Sequence, residues 1–204
     1  MAEISLNSCE FAHTASSGLL GVHAEITAEN CLFYDNGGFG IQLSYGGNYD
    51  FKYCTSANYG NQSAAVRLDN FFDISLFDSI PPVFNPINAK FTNCIFVGND
   101  TDEISLADGF AGTDPNAFVY NFDHCIVNVD ELLDAEAFPN FFDNCNNCIQ
   151  EVNGDTLFVD RELYDFHLDT ASIAIDRGIS IMPLVDKDGL SRMGLVDIGC
   201  YEFQ

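Results

Sequence analysis

Only three lysines, Lys52, Lys90 and Lys187, could serve this 204-residue chain as an amine base. Lys52 is the best candidate, because it follows Asp50 by two residues and both side chains then share the outward side of a strand. An amine there could act as a general base and take a proton from a bound substrate. Lys90 also flanks a strand. Neither lysine lies in a visible cluster of carboxylates, and a solvated face accounts for both. Hydrolysis of a glycosidic bond would instead need two carboxyl groups at a defined separation. Asp69 and Asp73 could supply such a pair, although aspartate is too abundant here for the spacing to say much.

Metal chemistry has one candidate. Asp186-Lys187-Asp188-Gly189 resembles the start of a calcium loop, and Asp197 falls at the twelfth position, where such a loop carries its last carboxylate. Asp186, Asp188 and Asp197 are therefore the candidate ligands, and Ca²⁺ is the cofactor the sequence admits. Cys9, Cys31, Cys54, Cys94 and Cys125 are too far apart for a zinc pattern, and buried thiols pack as small hydrophobes. Cys145-Asn146-Asn147-Cys148 lacks a second pair and reads as a local disulfide or as two buried thiols. His13, His23, His124 and His167 are dispersed and suggest no triad. Tyr45, Tyr49, Tyr53 and Tyr59 cluster, and they are the candidate carbohydrate contacts. Phenol rings on a flat β face can stack on the apolar C–H faces of sugars while the hydroxyl keeps a polar handle.

Composition says what kind of scaffold must hold these residues. Hydrophobic residues make up 47%, enough for one packed domain, and scattered Gly, Asn and Asp favour strands and turns over helices. Nineteen Phe and no Trp suggest a core of stacked flat rings. The formal net charge of −24 leaves no basic footprint, which excludes nucleic acid and disfavours an anionic membrane surface. The same charge suits cations and disfavours acidic polysaccharide. No apolar run is long enough to span a membrane, and the N-terminus lacks a signal-peptide pattern.

The sequence repeats. Five segments align on Cys9, Cys31, Cys54, Cys94 and Cys125, with steps of 22, 23, 40 and 31 residues. Three residues before each cysteine stand Leu6, Ala28, Phe51, Phe91 and Phe122, and two after it Phe11, Phe33, Ser56, Phe96 and Val127. Leu19, Ile41, Ala64 and Ile104 align further on, as do Gly21, Leu43, Val66 and Leu106, and Ala2-Glu3-Ile4 recurs as Ala24-Glu25-Ile26. This pattern predicts an all-β, right-handed parallel β-helix of about five to six coils. Each coil of about 22 residues stacks on the last at roughly 4.8 Å. Residues 1–129 form the coils, with turn insertions at about 69–88 and 107–118. Beyond Asp130 the cysteine register is expected to fail, and residues 130–204 hold the last coil or coils and an irregular cap over the open end of the stack.

The C-terminal motifs are Tyr164-Asp165-Phe166-His167-Leu168, Ser172-Ile173-Ala174-Ile175-Asp176-Arg177-Gly178, Asp186-Lys187-Asp188-Gly189-Leu190-Ser191-Arg192 and Asp197-Ile198-Gly199-Cys200-Tyr201-Glu202. In order and content they resemble the ends of right-handed β-helix repeat proteins of the choice-of-anchor Q type. Ile173 and Cys200 depart from that pattern, where the family has Pro and Ala. The resemblance implies a secreted or cell-surface bacterial protein associated with polysaccharide. It makes this chain the C-terminal β-helix segment, with further coils upstream, serving as a scaffold or binding module. The alternatives are part of a polysaccharide lyase or glycosidase and an adhesin-like surface protein. The few basic residues weigh against catalysis by this segment alone.

Overall fold

The computed structural model describes residues 2–60, 62–72, 82–134, 138–150 and 156–204. Among these the chain is mostly β, with two long parallel sheets and few helical turns. The first sheet orders β1 (Ala2–Asn7), β3 (Leu19–Glu29), β5 (Ile41–Lys52), β10 (Ile87–Thr92), β13 (Phe118–Asp123) and β15 (Cys145–Asn146). Beside the first half of β5 it continues into β7 (Val66–Asp69) and β12 (Ile104–Ala107). The second sheet orders β2 (Glu10–Ala12), β4 (Leu32–Tyr34), β6 (Thr55–Asn58), β11 (Ile95–Gly98), β14 (Ile126–Val127) and β16 (Ile149–Gln150). Two short antiparallel pairs stand apart: β8 (Phe71–Phe72) with β9 (Val83–Phe84), and β17 (Phe158–Asp160) with β18 (Asp165–Leu168).

Strand pairing follows the repeat. Ala2, Glu3 and Ile4 face Ala24, Glu25 and Ile26, and Leu6, Ala28, Phe51, Phe91 and Phe122 stand in one register. Phe91 and Phe122 stack with centroids 4.8 Å apart, and Phe11 and Phe33 at 5.1 Å. These inward side chains build one continuous core, in which the buried thiols of Cys31, Cys54, Cys94 and Cys125 pack with the rings. One residue before each cysteine, Ser8, Asn30, Tyr53, Asn93 and His124 all take left-handed backbone, with φ between 50 and 54°. That shared corner turns the chain from the first sheet into the second.

The structure corrects two details of register. Val66 pairs with Ile41 and Ile104, and Leu68 with Leu43 and Leu106, so Val66 and Leu68, not Ala64 and Val66, occupy those columns. The turn after β6 is longer than its counterpart, and Ala64 and Ala65 are buried within it. The cysteine register also does not fail at Asp130. Phe122 pairs with Cys145 and Ile126 with Ile149, which makes Cys148 the next member of the cysteine column. Asn147 supplies the left-handed corner there, at φ 52°. The sequence hides this repeat because α1 (Glu131–Asp134) and a 3-10 turn (Phe141–Asn144) sit between it and the one before, and because cysteine replaces the phenylalanine of the pattern.

One bend needs glycine. Between Val22 and Ala24 the register of β3 against β5 shifts, with His23 opposite Tyr45 and Gly46. Gly46 has φ +73°, and a Cβ there would lie 2.5 Å from the carbonyl oxygen of Asn85. Any side chain would push the backbones apart.

The C-terminal segment lies elsewhere than expected. The outer face of the second sheet is apolar, through Leu32, Tyr34, Ala57, Ile95, Val97 and Ile126. Against it pack Leu157, Phe158, Phe166, Leu168, Ala174, Ile198 and Tyr201. The segment therefore covers the flank of the stack and reaches back to Glu10 through Lys187 at 3.2 Å. Hydrophobic burial decides this placement, since each fully buried large apolar side chain contributes about 1.5–3 kcal/mol. Corner residues clasp it: Asn93 exchanges two hydrogen bonds with Ile179, and Asn30 donates to the carbonyl of Val185.

Of the two insertions, β8 and β9 form the base of the first. Asn70 joins it to the second, donating to Asp108 and accepting from the Gly109 amide, both at 2.8 Å.

Candidate functional site

The hairpin of β17 and β18 carries the site. Asp160 caps the turn Arg161–Leu163 by accepting from the amides of Glu162 and Leu163. Tyr164 then takes left-handed backbone at φ 60°, and β18 returns. Phe158, Phe166 and Leu168 anchor the hairpin on the second sheet. The tip is left standing over the turns that follow β4, β6 and β11. A cleft of about 400 Å³ opens there, with Asp35, Tyr59, Gly60 and Asn99 on one wall and Arg161, Glu162, Tyr164 and Phe166 on the other.

Rings and charges alternate around this cleft. Asp35 Oδ2 lies 2.7 Å from His13 Nδ1 and accepts from the Tyr164 hydroxyl at 3.1 Å. The Tyr164 ring meets the edge of His13 at 4.9 Å and tilts over Tyr34 at 5.3 Å, and Tyr34 touches Phe166 at 5.0 Å. The Arg161 guanidinium sits 5.1 Å from the Tyr59 ring centre. Behind the rings, Tyr34 donates to Glu10 at 2.8 Å. Burial and that carboxylate push the Tyr34 phenol up to about 12, and the same bond holds Glu10 below its usual range. Tyr164, bonded to a carboxylate, is also raised. Tyr164 therefore meets the cleft as a neutral ring with a polar edge, across from the Tyr59 ring, with the neutral Tyr34 ring packed behind it. Ring faces suit sugar C–H groups, while a carboxylate and a guanidinium suit paired hydroxyls.

Only Tyr59 of the four tyrosines singled out from sequence reaches this cleft. Tyr49 is buried, in register with Ile26 and Ala89, and its hydroxyl donates to the Gly46 carbonyl at 2.8 Å. Gly21 and Ala89 leave the space its ring fills. Tyr53 is buried at the corner beneath the C-terminal segment, bonding Ile179 and Ile181 through its hydroxyl. Tyr45 is half-buried at the bend between His23 and Phe72. The expected exposed platform of four rings does not form, because strand alternation and the flank segment cover two of them.

Lys52 is not poised as a base. It bridges Glu29 and Asp50, each at 3.3 Å. Burial alone would lower its pKa, but the two carboxylates outweigh that and raise it, so the amine stays protonated. Lys90 lies beside Asp50 in register on the same outer face. Asp69 is taken by Arg67 at 3.2 Å and Ser44 at 2.9 Å, and Asp73 lies outside the described residues.

The three aspartates singled out for calcium hold backbone instead. Asp186 accepts from the amides of Asp188, Leu190 and Glu202. Asp197 accepts from those of Asp176 and Phe203. Asp188 meets His167 at 3.0 Å. Both oxygens of Asp186 and of Asp197 are committed to amides, so the set does not fit a calcium ion. Among the described residues no cluster of His, Cys, Asp or Glu is arranged to hold a metal.

Sequence reasoning missed Asp35, Arg161, Glu162 and Tyr164. Asp35 and Tyr164 are 129 residues apart, and they meet only because the chain returns along the flank. The one local signal is the cap, Asp160 before Arg161-Glu162-Leu163-Tyr164, which marks an exposed turn rich in polar groups and one ring. Compared with known proteins, the chain matches no family model, no curated protein and no solved structure.

Proposed function

We propose that the chain is a segment of a right-handed parallel β-helix that binds neutral polysaccharide without cleaving it, within a secreted or cell-surface bacterial protein of the choice-of-anchor Q type. The repeat-by-repeat parallel register and the shared left-handed corners support the architecture. The cleft walled by Tyr59, Tyr164, Asp35 and Arg161 carries the binding reading, because it joins exposed ring surface to a carboxylate and a guanidinium. A net charge of −24 favours neutral over acidic glycans. A protonated, ion-paired Lys52 supports binding without lyase chemistry. Further coils would stack on β1 and β2, which end both sheets and leave Leu6, Cys9 and Phe11 only partly covered.

The test is an oligosaccharide array with the wild-type chain and Tyr164→Ala. The expected result is binding to one class of neutral glycan, weakened about tenfold or more in the variant, the loss of roughly 1.4 kcal/mol of ring contact. Equal binding by both proteins, or binding only to uronic-acid polymers, would overturn the reading. So would new ultraviolet absorbance from an unsaturated product when a uronic-acid polymer is supplied.

A further inference from the structure

The last repeat departs from the others at one place in the core. Phe51, Phe91 and Phe122 stack in register, and the next residue in that column is Cys145. Three residues on, Cys148 joins the cysteine column after Cys125. Asn147 bends the chain between them through its left-handed corner, so both side chains turn to the same inner side. The two thiols share a hydrogen bond, and Cys148 Sγ also lies 3.7 Å from the Phe122 carbonyl oxygen.

Access separates this pair from the five buried cysteines, and Cys9, also half-buried, has only the buried Cys31 beside it. All eight cysteines are free, and Cys31, Cys54, Cys94, Cys125 and Cys200 are buried. Cys145 and Cys148 are half-buried, Cys145 on β15 and Cys148 just before β16, the last strands of the two sheets. The buried column thiols also touch one another, yet nothing in solution reaches them. Metal binding does not account for the pair, since no third ligand joins it among the described residues.

We propose that Cys145 and Cys148 form a redox pair, which closes into a disulfide by exchange with a low-molecular-weight disulfide. The hydrogen bond from Cys145 lowers the Cys148 thiol and raises its own, which makes Cys148 the first nucleophile. The Cys148 thiolate attacks one sulfur of the small disulfide, the S–S bond breaks, and one small thiol leaves. Cys145 then gives its proton to solvent and attacks Cys148 Sγ, which expels the second small thiol. Two protein thiols are oxidised by two electrons, and one disulfide is reduced to two thiols. The product ties the start of β15 to the residue just before β16.

The experiment treats the folded chain with oxidised glutathione, blocks remaining thiols, and reads intact mass and the digested peptides. Expected is loss of two thiols with a mass decrease of about 2 Da, mapped to Cys145 and Cys148. Cys145→Ser should stop at a glutathione adduct on Cys148, and Cys148→Ser should leave Cys145 unmodified over the same time. Eight blockable thiols after treatment, an adduct on Cys9 alone, or a link from Cys148 to Cys125 would overturn the proposal. The wild-type mapping decides the matter even where a serine variant fails to fold.

Discussion

Arg192 lies over the ring of Tyr53, its guanidinium carbon 4.0 Å from the ring centre. The same side chain, buried, donates to Glu202 at 2.8 Å, to the Gly199 carbonyl at 2.9 Å and to Asn30 at 3.3 Å. One arginine thus ties the C-terminal segment to the corners of the second and third repeats. Glu202 is itself nearly buried, and burial raises its carboxyl despite Arg192. Removing the guanidinium leaves that carboxylate without its partner. Arg192→Ala is expected to lose about 3–5 kcal/mol in urea unfolding, the cost of breaking a buried pair. Arg192→Lys should recover only part of it, since an ammonium cannot serve the carboxylate, the carbonyl and the ring face together.

Glu103 gives stability a pH dependence. It is fully buried in the turn before β12, accepting from the amides of Ala65 and Asp100, each at 2.8 Å. Burial pushes its carboxyl up to about 7 from the ordinary 4.5, further than the two amides pull it down. A raised folded value means that the folded state holds the proton more tightly. The stabilisation is complete below about 4.5 and disappears as pH climbs through 7, an effect of order 3 kcal/mol. Denaturant melts from pH 4.5 to 8 should show it. Glu103→Gln should flatten that slope and cost about 1–3 kcal/mol at pH 5, because its amide nitrogen cannot accept from the second backbone N–H.

The stacked core was legible because its signal is periodic: Leu6, Ala28, Phe51, Phe91 and Phe122 recur before a cysteine, and pairing in register follows from that. The sixth repeat was not legible, since Cys145 replaced the ring that marks the column. Nor was the flank position of the C-terminal segment. Leu32, Tyr34, Ile95 and Val97 read as ordinary strand residues, and only three dimensions show that their outer face needs a cover. The cleft is a product of that cover, so it has no spacing to detect. Tyr49 and Tyr53 looked like surface rings because tyrosine is amphipathic. Their hydroxyls find backbone partners inside.

His167 joins β18 to the turn at Asp188, reaching Asp165 at 2.6 Å and Asp188 at 3.0 Å, with Tyr201 stacked on it at 4.0 Å. Burial would lower its pKa, but the two carboxylates raise it overall. The charged latch is therefore in place below the ordinary value near 6.5 and is lost as pH rises through the raised one. Asp165 is lowered by the same pairing, so the acid limit lies below 3.8. Amide exchange in residues 157–168, corrected for intrinsic rate, should quicken above neutral pH, and His167→Gln should remove that change.

Sites off the cleft supply the contrast. Lys52→Ala removes an ammonium shared by Asp50 and Glu29 on the outer face of the first sheet. Tyr49→Phe removes a buried hydroxyl bonded to Gly46, at a cost of about 0.5–1.5 kcal/mol. Calorimetric titration with the array's best neutral glycan should give both variants wild-type affinity, whereas Tyr59→Ala should weaken binding.

The most direct measurement is hydrogen–deuterium exchange of the wild-type chain with and without a saturating neutral oligosaccharide from the array. Protection is expected in the segments around Asp35, Tyr59 and Arg161–Phe166, the walls of the cleft. Protection along Asn48, Asp50, Asn88 and Lys90, on the outer face of the first sheet, would contradict it and move the site there.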